Sequence, residues 1–236
     1  MKGIVVKMDD IMRKINSLNP NINIMSVHDR SFKRFGMVYK DFKIDNLLDY
    51  IEKKNIVSDE VVYIADVPYI RKKLSSYINP ITVSIYGGLE VQVGVCYGRN
   101  NILNGLEFHQ GSEVYIVGAD MIMMLGIDED IRWPGGMYDS SLIQFFYAPK
   151  GSVIELKGGC MHYAGVNVYH KEGINVIVSL LKGTNSIIDF KMGDSYRDKL
   201  LIAKNSWFIA HPGYTKAKNE GWHLGITGEN FELKTL

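Results

Sequence analysis

The stretch "NGLEFHQGSEV" at residues 104–114 sets two carboxylates and an imidazole in an otherwise apolar neighbourhood. Along an extended strand, side chains two apart share a face, so Glu107 and His109 point the same way, and Glu113 has the same parity. A strand that continues, or turns tightly at Gln110, Gly111 and Ser112, brings all three toward one interior point. A divalent metal can use that spacing.

The segments around this stretch read as β structure. From Pro80 onward, short apolar runs alternate with glycine and aspartate: "ITVSIYGG", "VQVGVCYG", "EVYIVGAD", "MIMMLG", "LIQFFYAPKG", "SVIEL" and "INVIVSLLKG". They are rich in Val, Ile, Tyr and Phe and recur at the spacing of a sandwich or barrel. Runs such as "MIMML" and "LIQFF" are apolar on both faces, so both sides of the sheet are covered, by helices or by a second copy in a homodimer.

Residues 1–78 read as a helical extension packed on that body. In "FKIDNLLDYIEKKN" the residues Ile44, Leu47, Leu48 and Ile51 repeat at helical spacing, and the segment ends in Lys53, Lys54 and Asn55, as a helix C-terminus favours. A second helix is predicted over "VPYIRKKLSSYI", with Pro68 in its first turn. The barrel is expected over 79–190 and an irregular tail over 191–236. The tail interleaves Trp207, Phe208 and Trp222 with polar groups, and it is expected to border a pocket.

Bulk properties exclude several function classes. In 236 residues, 27 Lys and Arg stand against 26 Asp and Glu, which leaves no charge excess for a nucleic acid or an anionic membrane surface. Cys96 and Cys160 have no metal-type spacing and suit free thiols in a reducing cytoplasm. The opening "MKGIVVKMDDIMRKI" carries Asp9 and Asp10 where a secretory apolar region would continue, and no segment approaches the roughly 20 apolar residues of a membrane span. A cytoplasmic protein is therefore expected. The methionines, Met121, Met123 and Met124 among them, read as core filler. No Gly-rich loop has phosphate-cradling spacing, so a nucleotide site is not expected.

A second polar island, "YAPKGSVIELKGGCMHYAGVNV", supplies His162 after the glycine pair Gly158 and Gly159. Barrel strands distant in sequence meet in the interior, so His162 is the natural fourth ligand beside Glu107, His109 and Glu113.

These residues resemble the two motifs of the cupin superfamily. Gly105 is followed by Glu107-Phe108-His109, then three residues and Glu113; later come Pro149-Lys150-Gly151 and His162. Glu107 stands where that pattern has its first histidine, and His162 lies farther beyond Pro-x-Gly than is usual. Over nearly its whole length the chain is also similar to a family of cupin-like bacterial proteins carrying a domain of unknown function. The blocks "VQVGVCYGRNNILNGLEFHQGSEV", "FYAPKGSVIEL", "MHYAGV", "LLKGTN", "LLIAKNSWFIAHP" and "GITGEN" carry that likeness. Here Arg99 replaces a histidine of that family, and Gly165-Val166 replaces Pro-Cys. The resemblance implies a cupin-type β-barrel (a double-stranded β-helix, or jelly roll), one metal, and a role in carbohydrate metabolism.

Two imidazoles and two carboxylates suit Zn, Mn, Fe or Ni. Open positions on such an ion would chelate a sugar carbonyl and its neighbouring hydroxyl, and a carboxylate would move a proton between adjacent carbons. An aldose-ketose isomerase or epimerase acting on a sugar, sugar acid or sugar phosphate is thus the leading expectation, with Glu155 or Glu229 as base. Arg99, Lys150, Lys204, Asn205 and His211 are the expected substrate contacts. A non-haem iron dioxygenase and a non-catalytic sugar-binding cupin are the alternatives. The absence of a basic helix-turn-helix argues against a DNA-reading regulator.

Overall fold

The computed structural model describes residues 2–54 and 57–236, with side chains from Met8 onward. Along the chain come α1 (Lys2–Leu18), β1 (Ile24–Ser26), β2 (Gly36–Tyr39), α2 (Asp45–Lys54), β3 (Val62–Ile64), α3 (Pro68–Lys73) and α4 (Ser75–Tyr86). The central strands are β4 (Val91–Gly98), β5 (Gly105–Phe108), β6 (Glu113–Val117), β7 (Met121–Ile127), β8 (Tyr138–Asp139) and β9 (Gln144–Ala148). They continue with β10 (Val153–Leu156), β11 (Cys160–Met161), β12 (Val166–Asn167) and β13 (Ile174–Leu181). The C-terminal part holds β14 (Leu201–Ala203), β15 (Ser206–Ala210), α5 (Thr215–Glu220) and β16 (Ile226–Thr227).

Two main sheets face each other as a cupin-type jelly roll. One runs β2-β10-β6-β13-β4-β3; the other runs β1-β9-β7-β11, with β12 also on β7. All the pairings within these two sheets are antiparallel except β1 on β9. The period of two decides what lies between them. Tyr115, Val117, Ile154, Leu156, Val176 and Val178 of the first sheet meet Met121, Met123, Leu125 and Phe146 of the second in one buried cluster.

The opposite faces are covered by helices. Val114, Ile116, Val153 and Ile177 pack against Leu47 and Ile51 of α2, Ile70 of α3, and Ile78 and Ile81 of α4. On the other side, Ile122, Met124, Phe145 and Tyr147 pack with Ile11 and Ile15 of α1. Double cover is why "MIMML" is apolar at every position.

The N-terminal region is more than a helical cover, because β1, β2 and β3 add to the edges of both sheets. The run "ITVSIYGG" is not a strand. It completes α4, so the expected boundary at 78–79 falls inside a helix. Ile78, Ile81 and Ile85 line one helical face against the sheet, and Gly87 closes the helix at φ 60°, which glycine adopts freely. Packing here overrides the β preference of Ile, Thr and Val.

Nor is the tail irregular throughout. β14 and β15 form a hairpin, and β15 pairs along the whole of β5, with Phe208 opposite Glu107 and Ala210 opposite Gly105. Among the described residues, no helix is long and apolar enough to cross a membrane.

Candidate metal centre

Three backbone features build the centre. β5 ends at Phe108, and the chain turns through Gln110–Ser112, where Gly111 takes φ 143°. Glu113 then opens β6 on the inner face, sharing parity with Tyr115 and Val117. His162 follows β11 and is pinned to Glu107 by an isolated antiparallel bridge.

The imidazoles are aimed by main-chain carbonyls. His109 Nδ1 lies 2.7 Å from the Asn205 carbonyl oxygen, and His162 Nδ1 lies 3.0 Å from that of Cys160. A carbonyl only accepts, so each Nδ1 carries its proton and each Nε2 faces the interior. There His162 Nε2 lies 2.5 Å and His109 Nε2 3.6 Å from Glu113 Oε2. The three atoms are buried, yet none has an aligned hydrogen-bond partner. Ligand atoms of Glu107, His109 and His162 all lie within 4.8 Å of one another. Such buried, convergent groups, held together by charge without aligned hydrogen bonds, fit a divalent ion.

The electrostatics agree. Burial pushes the Glu113 carboxyl up, but the charge of His162 in close contact with it, with His109 adding to it, outweighs burial and holds Glu113 below its ordinary value. Burial lowers His162, and the Glu113 charge more than reverses this, raising it well above its ordinary value. The pair is thus a carboxylate beside an imidazolium, and a cation would take the place of the imidazolium's inner proton. Burial pushes the Cys96 thiol up to about 12 and raises Cys160 as well, so both free thiols are protonated at neutral pH.

A cavity of about 670 Å³ opens from this cluster. Glu107, Glu113 and Tyr115 lie at its metal end, and Tyr163, Phe208 and Trp222 form an aromatic wall. The tail therefore reaches the cavity through its rings.

The expected substrate and base residues are placed unequally. Arg99 lines the cavity and pairs with Asp59. The others are not among the residues lining it. Lys150 pairs with Glu52, and Lys204 with Asp189 at 2.6 Å. His211 accepts from the Gly213 N–H at 2.9 Å, and Glu229 is exposed. Glu155 sits opposite Val114, on the face turned toward the helices, and its carboxylate accepts from Tyr39 and Ser112, both at 2.6 Å. Asn205 contributes its carbonyl to His109, while its side chain binds Gln110 and Thr184. Sequence reading missed Tyr115, although it shares the parity of Glu113, and Ser206, whose hydroxyl donates to Glu107 Oε2 at 3.2 Å.

A family defined by a domain of unknown function, DUF4867, matches residues 24–231. The chain belongs to that family. No curated protein matches this DUF4867 chain. Among solved structures it is similar to oxalate decarboxylase of Bacillus subtilis, at 10% identity over 51% of this chain and 25% of that one, with a TM-score of 0.30. It is also similar to vicilin of Solanum lycopersicum (14% identity, 52% and 28% covered, TM-score 0.32) and of Solanum melongena (9%, 69% and 34%, TM-score 0.34). The DUF4867 chain spans a quarter to a third of the length of these proteins.

Proposed function

We propose that this protein is a metal-dependent isomerase or epimerase of a small, unphosphorylated sugar or sugar acid. The observation that carries the reading is the convergence of His109 Nε2, His162 Nε2 and Glu113 Oε2, buried and without aligned partners, at the end of a cavity of about 670 Å³. His109, Glu113 and His162 would hold a divalent ion of the zinc, manganese, iron or nickel kind, because imidazole and carboxylate suit those ions. Such an ion supplies a Lewis acid that polarises a carbonyl oxygen and favours the enediolate.

Glu107 is the carboxylate for the proton. It lines the cavity, is only half-buried, and has one oxygen held by Ser206. Placed beside the three ligands, it can take a proton from one carbon and return it to the next. The rings of Tyr163 and Trp222, backed by the buried Phe208, offer flat apolar faces to the C–H side of a sugar, and Arg99 meets its polar end.

The charge of the wall narrows the substrate. Asp59, Glu60, Glu107 and Glu113 stand against Arg99 and Lys216, so a divalent ion brings the lining to neutrality. A phosphate dianion would find no surplus of positive charge there, whereas a neutral or singly charged sugar meets no such cost.

The test is proton exchange. Protein purified without chelator, assayed for metal content and incubated in D2O with pentoses, hexoses and uronates, should incorporate deuterium at carbon in one of them. Metal-loaded protein that exchanges none of them refutes the isomerase reading, and oxygen consumption in place of exchange would mark an oxygenase.

A further inference from the structure

The Lys204–Asn205 turn joins β14 to β15 and sits against the corner between β5 and β6, because β15 pairs with β5. Asn205 adopts φ 55°, a left-handed conformation that asparagine tolerates better than most residues. Three bonds radiate from it. Its carbonyl accepts from His109 Nδ1 at 2.7 Å, its Oδ1 accepts from the Gln110 N–H at 2.9 Å, and its Nδ2 donates to Thr184 Oγ1 at 2.9 Å. Thr184 is buried and fixed in turn, its carbonyl accepting from Gln92 Nε2 at 2.9 Å. A chain of polar contacts thus runs from β4 through Thr184 to the ring of a candidate ligand.

We propose that Asn205 is a positioning residue for the metal centre, and that Thr184 holds it so that its carbonyl fixes His109 with Nε2 directed inward. This rests on the metal reading of the site above. A neutral imidazole has two tautomers, and only the one protonated at Nδ1 presents Nε2 to a cation. The carbonyl selects that tautomer, and the side-chain bonds to Gln110 and Thr184 keep the carbonyl in place. The two anchors lie on opposite sides of the turn, one on the corner that carries His109 and one on the loop after β13. A turn asparagine with only a local role would need neither.

The variants Asn205→Gly and Thr184→Val separate this from a role in folding alone. Glycine keeps the left-handed backbone and removes both side-chain anchors, and valine removes the acceptor at nearly constant volume. Two readouts are taken: Zn²⁺ affinity by chelator competition, and the 15N spectrum of the His109 ring in metal-free protein at about pH 8, above the ordinary imidazole pKa. Both variants should bind Zn²⁺ about 10-fold to 100-fold more weakly, as loss of an outer-shell partner does. Both should show mixed tautomers, and Thr184→Ser should restore wild-type behaviour. Wild-type affinity and a single tautomer in both variants would overturn the proposal. If the wild-type protein takes up none of Zn²⁺, Mn²⁺, Fe²⁺ and Ni²⁺, the metal reading itself fails and the ring spectrum decides: one tautomer in wild type and a mixture in the variants upholds Asn205, and identical spectra overturn it.

Discussion

The peptides of Glu107 and His162 bond to each other twice, the Glu107 N–H to the His162 carbonyl at 2.6 Å and the His162 N–H to the Glu107 carbonyl at 2.8 Å. Directly opposed residues of an antiparallel pair carry their side chains on one face, so this bridge alone orients two groups of the centre together. His109 is tied in by its own carbonyl, which accepts from the Gly159 N–H at 2.9 Å. The segment that carries Glu107 and His109 and the segment that carries His162 therefore cannot slide independently.

Removing an imidazole from this frame should remove the ion. His109→Ala and His162→Ala are each expected to lose metal retention, measured as metal per chain by elemental analysis after gel filtration. Full occupancy in either variant would mean that the ion lies elsewhere.

Glu107→Gln separates a proton carrier from a ligand. As carrier, Glu107 can be replaced with metal content retained while turnover falls about 10²-fold to 10⁴-fold, the usual range for a lost general base. Loss of the ion along with activity would instead make Glu107 a ligand.

Glu155→Gln should leave both metal content and turnover unchanged. The Glu155 carboxylate is engaged by Tyr39 and Ser112 on the face turned away from the cavity. Burial, with Glu155 adding to it, raises the Tyr39 hydroxyl to about 12, so it stays a donor at neutral pH. The amide keeps one acceptor oxygen, and the expected loss of stability, read from the urea midpoint, is about 1 kcal/mol. A fall in turnover with unchanged metal content would return Glu155 to the list of catalytic groups.

How much of this was legible in the sequence depended on whether the signal was local. The order and parity of Glu107, His109 and Glu113 lie within seven residues, and the turn at Gly111 is announced by its glycine. Glu155 shows the limit: its face depends on register against β6, where it meets Val114 rather than Glu113, and a single strand does not print its register. Lys150 and Lys204 lie close to the motif segments, but their partners Glu52 and Asp189 come from other parts of the chain. β1 and β3 are only three residues long, too short for a period to appear. In α4 the β-branched residues outweighed the helical spacing of Ile78, Ile81 and Ile85, because a short apolar run is ambiguous by periodicity.

Gly105→Ala tests the joint between β5 and the aromatic wall. A Cβ there would meet Phe208 Cζ at 2.2 Å and Cε1 at 2.7 Å. Phe208 is fully buried, with the rings of Tyr163 and Trp222 at 5.1 and 5.0 Å, so it has nowhere to swing. Overpacking of this kind costs about 1 to 3 kcal/mol. The urea midpoint should drop accordingly, and an unchanged midpoint would show that the wall is looser than its packing indicates.

Trp222→Ala should divide ligand binding from metal binding. Trp222 lines the cavity beside Phe208 and Tyr214, with Lys216 Nζ 5.7 Å from its ring centre, and it touches none of the atoms that converge on the ion site. Its ring supplies a flat apolar face without altering the orientation of His109 or His162, which are set by the carbonyls of Asn205 and Cys160. The variant should keep its metal and bind the exchanging sugar about tenfold more weakly, as expected for an aromatic contact worth roughly 1 to 1.5 kcal/mol. Affinity is read by titration calorimetry and metal content by elemental analysis on the same sample. Unchanged affinity would move the sugar's apolar contact to Tyr163 and Tyr115, deeper in the barrel, while loss of the ion would show that Trp222 supports the centre rather than the substrate.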